Sequence, residues 1–293
     1  IKQDIDYYFW GYLNYPLQGL PAPETSNPLL VPLAGHELGH SIWETKRFST
    51  KFEQRIHDDV LKELKDKRWD EYHLLYPQFQ KNELDNLLAQ PTWLPAYTWA
   101  LFQAEEIFCD FFGLRLFAES YLQAFAYLLS PGVSGPRSVR YPKIISRVSH
   151  LVDAAREMKV EVPSGFELDY VIESDPVENS TKLLVSIADT VLASLTNDLK
   201  KLVHDYSDDN KIPMRDTVMV AQICVEFREK IAPTSSHQSL ANLLNAGWIC
   251  MLDPDRWKNI PQIKSEERDR VLKDLVLKSM EVSEVYERLR REP

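Results

Sequence analysis

Long hydrophobic runs are missing from this sequence. A membrane-spanning helix needs about 20 consecutive apolar residues. The most apolar region, residues 93–129, is instead interrupted by five charged side chains, which are Glu105, Glu106, Asp110, Arg115 and Glu119. No secretory signal pattern is visible. We therefore expect no membrane insertion, and a buried helical region over residues 93–129.

Paired cysteines and excess positive charge are also missing. The three cysteines, Cys109, Cys224 and Cys250, are scattered and odd in number, which predicts reduced thiols and a cytoplasmic protein. The net charge of −10 disfavours nucleic acid as a partner, because such binding needs basic patches. A hydrophobic fraction of 44% over 293 residues predicts a globular chain with a sizeable core.

Helical periodicity dominates the rest of the chain, and no long stretch alternates as a strand would. We expect a mainly α fold with, at most, a small sheet. Residues 93–129 should form two helices or one bent helix. A proline- and glycine-containing stretch over 162–180 predicts a link between two domains, 1–160 and 161–293. Other helices are predicted at 28–46, 50–67, 143–158, 182–204, 213–231, 240–252 and 265–291.

The segment from Leu33 to Ser41 contains the motif His-Glu-x-x-His. Residues four apart lie on one face of an α-helix, so His36 and His40 are placed to hold one metal ion. Glu37 lies about 100° further round the helix, which suits a base acting on water rather than a third ligand. The apolar flanks predict a buried helix, in which such polar groups need partners.

Two glycines flank the histidines on this helix. Each glycine inside a helix costs about 1 kcal/mol relative to alanine. Because Gly35 and Gly39 are four apart, they leave one strip of the helix bare, and another backbone can approach it closely. The alternative is that Gly35 only relaxes the helix start after Pro32.

A third ligand is needed for a catalytic zinc site. The apolar helix predicted after residue 93 carries Glu106 and Asp110 one turn apart, a Glu-x-x-x-Asp pattern. Glu106 is the candidate third ligand. Asp110 is the candidate acceptor for a hydrogen bond from a ring N–H of a ligand histidine, with His36 preferred.

Two alternatives remain for these acids. Glu44 is four residues beyond His40 and competes as third ligand, but ligands from one helix would be nearly collinear and cannot surround an ion. Alternatively, Glu106 and Asp110 make salt bridges with neighbours such as Arg115. We assign that role to Glu105.

The two motifs together resemble the gluzincin zinc metallopeptidases, whose signature is His-Glu-x-x-His followed later by Glu-x-x-x-Asp. The long separation between His40 and Glu106 is similar to the CAAX-prenyl-protease and heat-shock membrane-protease branch. In that branch a Gly-Leu pair, a His-Pro step and an Arg-Ile pair often follow. This chain has Gly113-Leu114, Tyr141-Pro142 and Arg147-Val148, with tyrosine where histidine is usual. The resemblance covers residues 28–150 and implies a helical zincin-like core with an additional C-terminal helical region.

The resemblance implies one Zn²⁺ per chain, bound by His36, His40 and Glu106 with a water molecule in the fourth position. The cation would lower the pKa of that water, and Glu37 would take its proton and deliver it to the leaving amine.

An oxyanion in the transition state also needs a donor opposite the metal. Arg147, Tyr141 and His150 lie where the resembling family places such residues, and we rank them in that order. Their alternative roles are an ion pair, a core-edge aromatic ring and a surface histidine.

The function expected from these residues is a zinc metallopeptidase acting on a protein or peptide substrate. One alternative is a non-catalytic helical interaction protein that keeps a structural or vestigial zinc site. Another is a zinc hydrolase of non-peptide amides. The C-terminal helical region is a possible surface for a protein partner. Glu37 favours an enzyme, because a structural site has no need of an acid beside an open metal position.

Overall fold

Helices make up the regular structure of the residues that the computed structural model describes, which are 24–130, 137–168, 170–233, 239–258, 260 and 262–291. The predicted mainly α fold is confirmed, since these residues form ten α-helices and no strand. The helices are α1 (Ala34–Thr45), α2 (Glu53–Asp66), α3 (Trp69–Leu75), α4 (Gln90–Phe117), α5 (Glu119–Leu129), α6 (Ile144–Glu157), α7 (Asn179–Asp209), α8 (Thr217–Arg228), α9 (Leu240–Leu252) and α10 (Arg268–Arg291).

The first predicted helix is divided in two. Pro28–Leu33 forms a 3₁₀ helix, and α1 begins at Ala34. The side chain of Asn27 accepts a hydrogen bond from the backbone N–H of Leu29 at the start of this turn. Proline lacks a backbone N–H and cannot continue an α-helical ladder. The two prolines of this turn therefore delay the regular α-helix until just before the histidine motif.

Helix α4 is the centre of the fold. It is 28 residues long and buries side chains on all sides in its C-terminal half. A helix that is apolar all round is a buried helix. Helices α1, α2, α6 and α7 pack around it, so its carboxylates lie in the interior of the protein.

Helices α1 and α4 touch through their backbones, as the spacing of the glycines predicts. A Cβ atom at Gly35 would lie 2.9 Å from the Cα of Gly113, and one at Gly39 would lie 2.8 Å from the Cα of Cys109. The two contacts show that the helices run antiparallel. This close approach brings the histidines of α1 beside the carboxylates of α4.

Residues 93–129 form two helices, α4 and α5, which are separated at Ala118. Ala118 has a φ of 52°, a conformation that L-residues rarely adopt. Asn245 of α9 spans the break: its side-chain amide donates to the carbonyl of Phe117 and accepts from the N–H of Ser120, both at 2.9 Å. These bonds satisfy backbone groups that the end of α4 leaves unpaired.

The buried apolar core includes residues on both sides of residue 160. Helix α7 lies along α4, and α9 packs against α8, α10 and the Pro28–Leu33 turn. The division into domains 1–160 and 161–293 stays a prediction, and residues 1–23 lie outside the described part of the chain. No helix among the described residues has both the length and the apolar character to cross a bilayer.

Candidate metal centre

Helix α1 presents its two histidines to α4 as a pair. The ring centroids of His36 and His40 are 4.9 Å apart, with the ring planes at 80° to one another. His36 is buried and His40 is half-buried. Because the residues are one helical turn apart, both imidazoles lie on the same face of α1.

Glu106 faces the Nε2 atom of each ring. Its Oε2 atom lies 3.3 Å from His36 Nε2, and its Oε1 atom lies 3.6 Å from His40 Nε2. Two donor atoms bound to a tetrahedral zinc ion at 2.0–2.1 Å are about 3.4 Å apart. Each Nε2 atom therefore lies near a different oxygen of Glu106, and the side chains whose ligand atoms all lie within 4.8 Å of one another are His36, His40 and Cys109.

The Nδ1 atoms of both rings are occupied by other carboxylates of α4. Asp110 Oδ1 lies 3.0 Å from His36 Nδ1, the contact expected from the sequence, and Glu105 Oε1 lies 2.7 Å from His40 Nδ1. An ionised carboxylate only accepts hydrogen bonds, so each Nδ1 carries the proton. Each Nε2 is thus the ring atom left to bind a metal.

Glu105 pairs with His40 and not with Arg115, the neighbour named as its example partner. Arg115, its expected partner, donates instead to the carbonyl of Ile212 and lies 3.8 Å from Asp208. Glu105 contacts His40 because Glu105 is one turn before Cys109, which touches Gly39. The sequence alone does not give this register between two helices that are distant along the chain.

Asp110 is held in place from three sides. Arg147 of α6 donates through Nε to Oδ2 at 2.8 Å and through Nη2 to Oδ1 at 2.7 Å. The hydroxyl of Tyr121 also donates to Oδ1, at 2.8 Å. Arg147 Nη2 additionally lies 3.9 Å from Glu106 Oε2. Arg147 therefore anchors the carboxylates of Asp110 and Glu106. Tyr121, which the sequence motifs did not identify, also helps to hold Asp110.

The charges of these buried groups shift their pKa values. Burial alone lowers the pKa of His36, but hydrogen bonds and charges from Asp110 and Glu106 outweigh it and raise the pKa to about 10. Burial raises the pKa of the Asp110 carboxyl, but Arg147 and His36 together hold it well below its usual range. Burial likewise raises the pKa of Glu106, and its contacts with His36 and Arg147 lower it overall.

Cys109 is a second residue that the motifs did not identify. His36, His40 and Cys109 each offer a ligand atom within 4.8 Å of the others. Burial and the surrounding carboxylates, above all Glu106, raise the pKa of the Cys109 thiol well above its ordinary value. Cys109 is thus an alternative to Glu106 as a metal ligand. It lies on the same helix as Glu106 and packs against Gly39 of α1.

Glu37 and Tyr141 lie at the edge of the centre. Glu37 is buried on α1, and Tyr141 is 36% exposed. Burial, then the charge of Glu106, raises the pKa of the Tyr141 hydroxyl, and Glu37 adds to the rise. A cavity of about 230 Å³ lies beside Tyr141 and Arg147, with Leu129 and Val171 among its apolar lining. This space therefore adjoins Tyr141 and Arg147, and the acid in its lining is Glu173.

The two remaining candidates are Glu44 and His150, and the charge of His40 acts on Glu44. Glu44 is exposed, and burial and the charge of Glu105 raise its pKa. His150 lies on α6 one turn after Arg147, and burial lowers its pKa against the charge of Asp153.

The donor set fits a divalent cation. Two imidazole Nε2 atoms and a carboxylate face one another, and Glu37, Glu105, Glu106 and Asp110 outweigh the charge of Arg147. Imidazole nitrogen, carboxylate oxygen and thiolate sulfur are all ligand types that Zn²⁺ takes in proteins. Comparison with known protein families, curated proteins and solved structures finds no match. The resemblance to gluzincins therefore rests on the two motifs alone.

Proposed function

We propose that this protein is a zinc-dependent metallopeptidase whose metal ligands are His36, His40 and Glu106. The observation that carries the proposal is the arrangement of the two Nε2 atoms around the Glu106 carboxylate, at 3.3 and 3.6 Å. Both Nδ1 atoms are already paired with carboxylates. These contacts between residues distant in sequence support the assignment of His36, His40 and Glu106 as ligands and of the acids at Nδ1 as orienting groups.

A bound Zn²⁺ would supply a Lewis acid and lower the pKa of a water molecule toward neutrality. Glu37, next to His36 on α1, takes a proton from the attacking water as its oxygen bonds to the scissile carbonyl carbon. Glu37 then gives that proton to the amine as the C–N bond breaks. The proposed reaction therefore requires an acid at position 37 that transfers protons and does not itself bind the metal.

Tyr141 is the better placed of the two leading candidates to donate to the developing oxyanion. The Nε and Nη2 atoms of Arg147 already donate hydrogen bonds to Asp110, at 2.8 and 2.7 Å. We therefore assign Arg147 the role of holding α4 in place. Tyr141 is 36% exposed, and the raised pKa of its hydroxyl keeps that group a hydrogen-bond donor.

The proximity of Cys109 favours one alternative function. With a fourth protein donor, the set His36, His40, Glu106 and Cys109 would close the coordination sphere, as in a structural zinc site. The protein would then be a non-catalytic helical interaction protein. Under this alternative Glu37 has no chemical role.

Substitution of Glu37 tests the peptidase. Glu37→Gln should retain about one zinc per chain and lose cleavage of a denatured protein mixture, measured by mass spectrometry of new peptide termini. Glu63→Gln is the matched control, since Glu63 is a glutamate of α2 that is 9% exposed, against 8% for Glu37, and it should cleave as wild type does. Equal cleavage by Glu37→Gln would refute the mechanism.

Substitution of Cys109 separates the two functions. If Glu106 is the third ligand, Cys109→Ala keeps zinc and cleavage, whereas Glu106→Gln loses both. Cobalt-substituted wild type should then show no sulfur-to-metal charge-transfer band. A charge-transfer band that disappears in Cys109→Ala would support the structural site instead.

A further inference from the structure

We infer that Arg137 is the positioning residue for Tyr141, and that Asp189 of α7 holds Arg137 in place. The inference rests on the proposed function, in which the Tyr141 hydroxyl donates to the oxyanion, and deepens it. It gives α7, a helix outside the two motifs, a task at the candidate centre.

Arg137 is a buried charge with a defined set of partners. Its side chain is 1% exposed. Nη1 and Nη2 each donate to one carboxylate oxygen of Asp189, at 2.6 and 2.8 Å. A guanidinium that bonds a carboxylate through two nitrogens has a fixed orientation. Because a buried ion pair adds little net stability compared with apolar side chains of similar size, we assign the role of Arg137 from what its guanidinium holds.

The group that Arg137 holds beyond this ion pair is the backbone carbonyl of Tyr141. Arg137 Nη2 donates to that carbonyl at 2.9 Å. The next residue is Pro142, and a residue that precedes proline is restricted to extended backbone conformations. The hydrogen bond and the proline together restrain the backbone of Tyr141, and therefore the direction in which its side chain leaves the backbone.

A second hydrogen bond fastens the same loop, residues 137–142, to α4. The side-chain amide of Gln103 donates to the carbonyl of Val139 at 3.2 Å. Gln103 is buried and lies one turn before Glu106 on α4. The loop is thus tied to the helix that carries the candidate third ligand and, through Arg137, to α7.

The hydroxyl of Tyr141 is within reach of the charges of the candidate centre. Burial, then the charge of Glu106, raises the pKa of this hydroxyl, and the charge of Arg147 acts against the rise. A donor to an oxyanion is effective only when it is held in position before the reaction. Loosening the loop should therefore slow the reaction without removing any group that reacts.

Arg137→Lys tests the inference through the kinetics of a peptide that the wild type cleaves. Lysine keeps the charge but lacks the planar fork that bonds Asp189 and the Tyr141 carbonyl together. Misplacing a catalytic group by about 1 Å can cost about 100-fold in rate. We expect kcat to fall about 10–100-fold with KM close to that of the wild type, because an oxyanion donor acts in the transition state. Added to Tyr141→Phe, Arg137→Lys should cause no further loss, since the hydroxyl that it positions is gone.

Arg256→Lys is the matched control. Arg256 is also buried, at 5% exposed, and it likewise donates to an acid, Asp269, and to a backbone carbonyl, that of Cys250. The kcat of this variant should match that of the wild type. Urea unfolding shows whether each variant is folded. If Arg137→Lys does not fold, Asp189→Asn takes its place, because its amide oxygen still accepts one hydrogen bond, and kcat should fall in the same direction by a smaller factor.

The outcomes distinguish this inference from the proposed function. A wild-type kcat in Arg137→Lys, or a loss in the double variant equal to the product of the two single losses, would overturn the inference and leave the peptidase intact. If the wild type cleaves no peptide, the proposed function fails, and the inference is tested on metal-free protein that carries 3-fluorotyrosine at position 141. The ¹⁹F shift between H₂O and D₂O, which reports exposure of the ring, should then rise in Arg137→Lys and keep its wild-type value in Arg256→Lys. An unchanged value in Arg137→Lys overturns the inference.

Discussion

The contact between Gly39 and Cys109 sets the distance between the two halves of the candidate site, and Gly39→Ala tests this. A Cβ at position 39 would lie 2.8 Å from the Cα of Cys109, whereas ordinary contact begins at 3.4 Å, so the helices must separate by about 0.6 Å. Metal sites tolerate deviations of about 0.2 Å in ligand distance. The substitution should therefore disturb the spacing between His40 and Glu106.

The free energy of unfolding should change only modestly. Crowding in a packed interface costs about 1–3 kcal/mol, and alanine in place of glycine returns about 1 kcal/mol of helix propensity. The net loss is about 0–2 kcal/mol, which leaves a domain of ordinary stability folded. Zinc affinity, in contrast, should fall at least about tenfold, as it does when ligand geometry is disturbed.

Gly247→Ala is the matched control for this experiment. Gly247 is also a glycine inside a buried helix, but a Cβ there meets the side-chain ends of Leu29 at 2.8 Å and Val276 at 2.9 Å, away from the histidines. Urea unfolding and zinc competition are measured on both variants. We expect comparable stability losses and reduced zinc affinity only for Gly39→Ala. Wild-type zinc affinity in Gly39→Ala would refute the claim that the helix contact sets the ligand spacing.

Three further outcomes are expected. Asp189→Ala should lower the free energy of unfolding by about 3 kcal/mol in urea, because it leaves the Arg137 side chain, 1% exposed, without the acid that it pairs with at 2.6 Å. Asn245→Leu should cost about 1–3 kcal/mol, since the buried N–H of Ser120 loses its side-chain acceptor, while the carbonyl of Phe117 keeps the hydrogen bond from Ser120 Oγ. In the metal-free protein the pKa of His36 is raised from 6.5 to about 10, so the stabilisation from its protonated form is complete below pH 6.5 and is lost as the pH rises toward 10. The free energy of urea unfolding should therefore fall across that pH range in the wild type. His36→Gln should abolish this pH dependence.

Much of the fold could be predicted from the sequence because its signals are local. Helical spacing of apolar residues located most of the helices, and the pair Gly35 and Gly39 predicted the close approach of a second backbone. The approximate positions of the candidate ligands also followed from spacing, since His36 and His40 share a face of one helix, and Glu106 and Asp110 share a face of another.

The remaining features depend on how distant helices meet. Glu105 contacts His40 only in the register set by the crossing of α1 and α4. Tyr121 reaches Asp110 because the chain breaks at Ala118, and an alanine gives no signal for the positive φ found there. Such contacts require the three-dimensional arrangement, because no periodicity within one helix encodes them.

The arrangement divides the tasks of the candidate site between two helices. Helix α1 supplies both imidazoles and the acid Glu37, and α4 supplies the proposed third ligand Glu106 and the two acids that contact the Nδ1 atoms of the rings. Residues 46–89, which lie between the two helices, contribute no ligand to this set. A centre built in this way depends on one backbone contact and one register. A change at Gly39 should therefore impair metal binding more than a change of equal size elsewhere in the core.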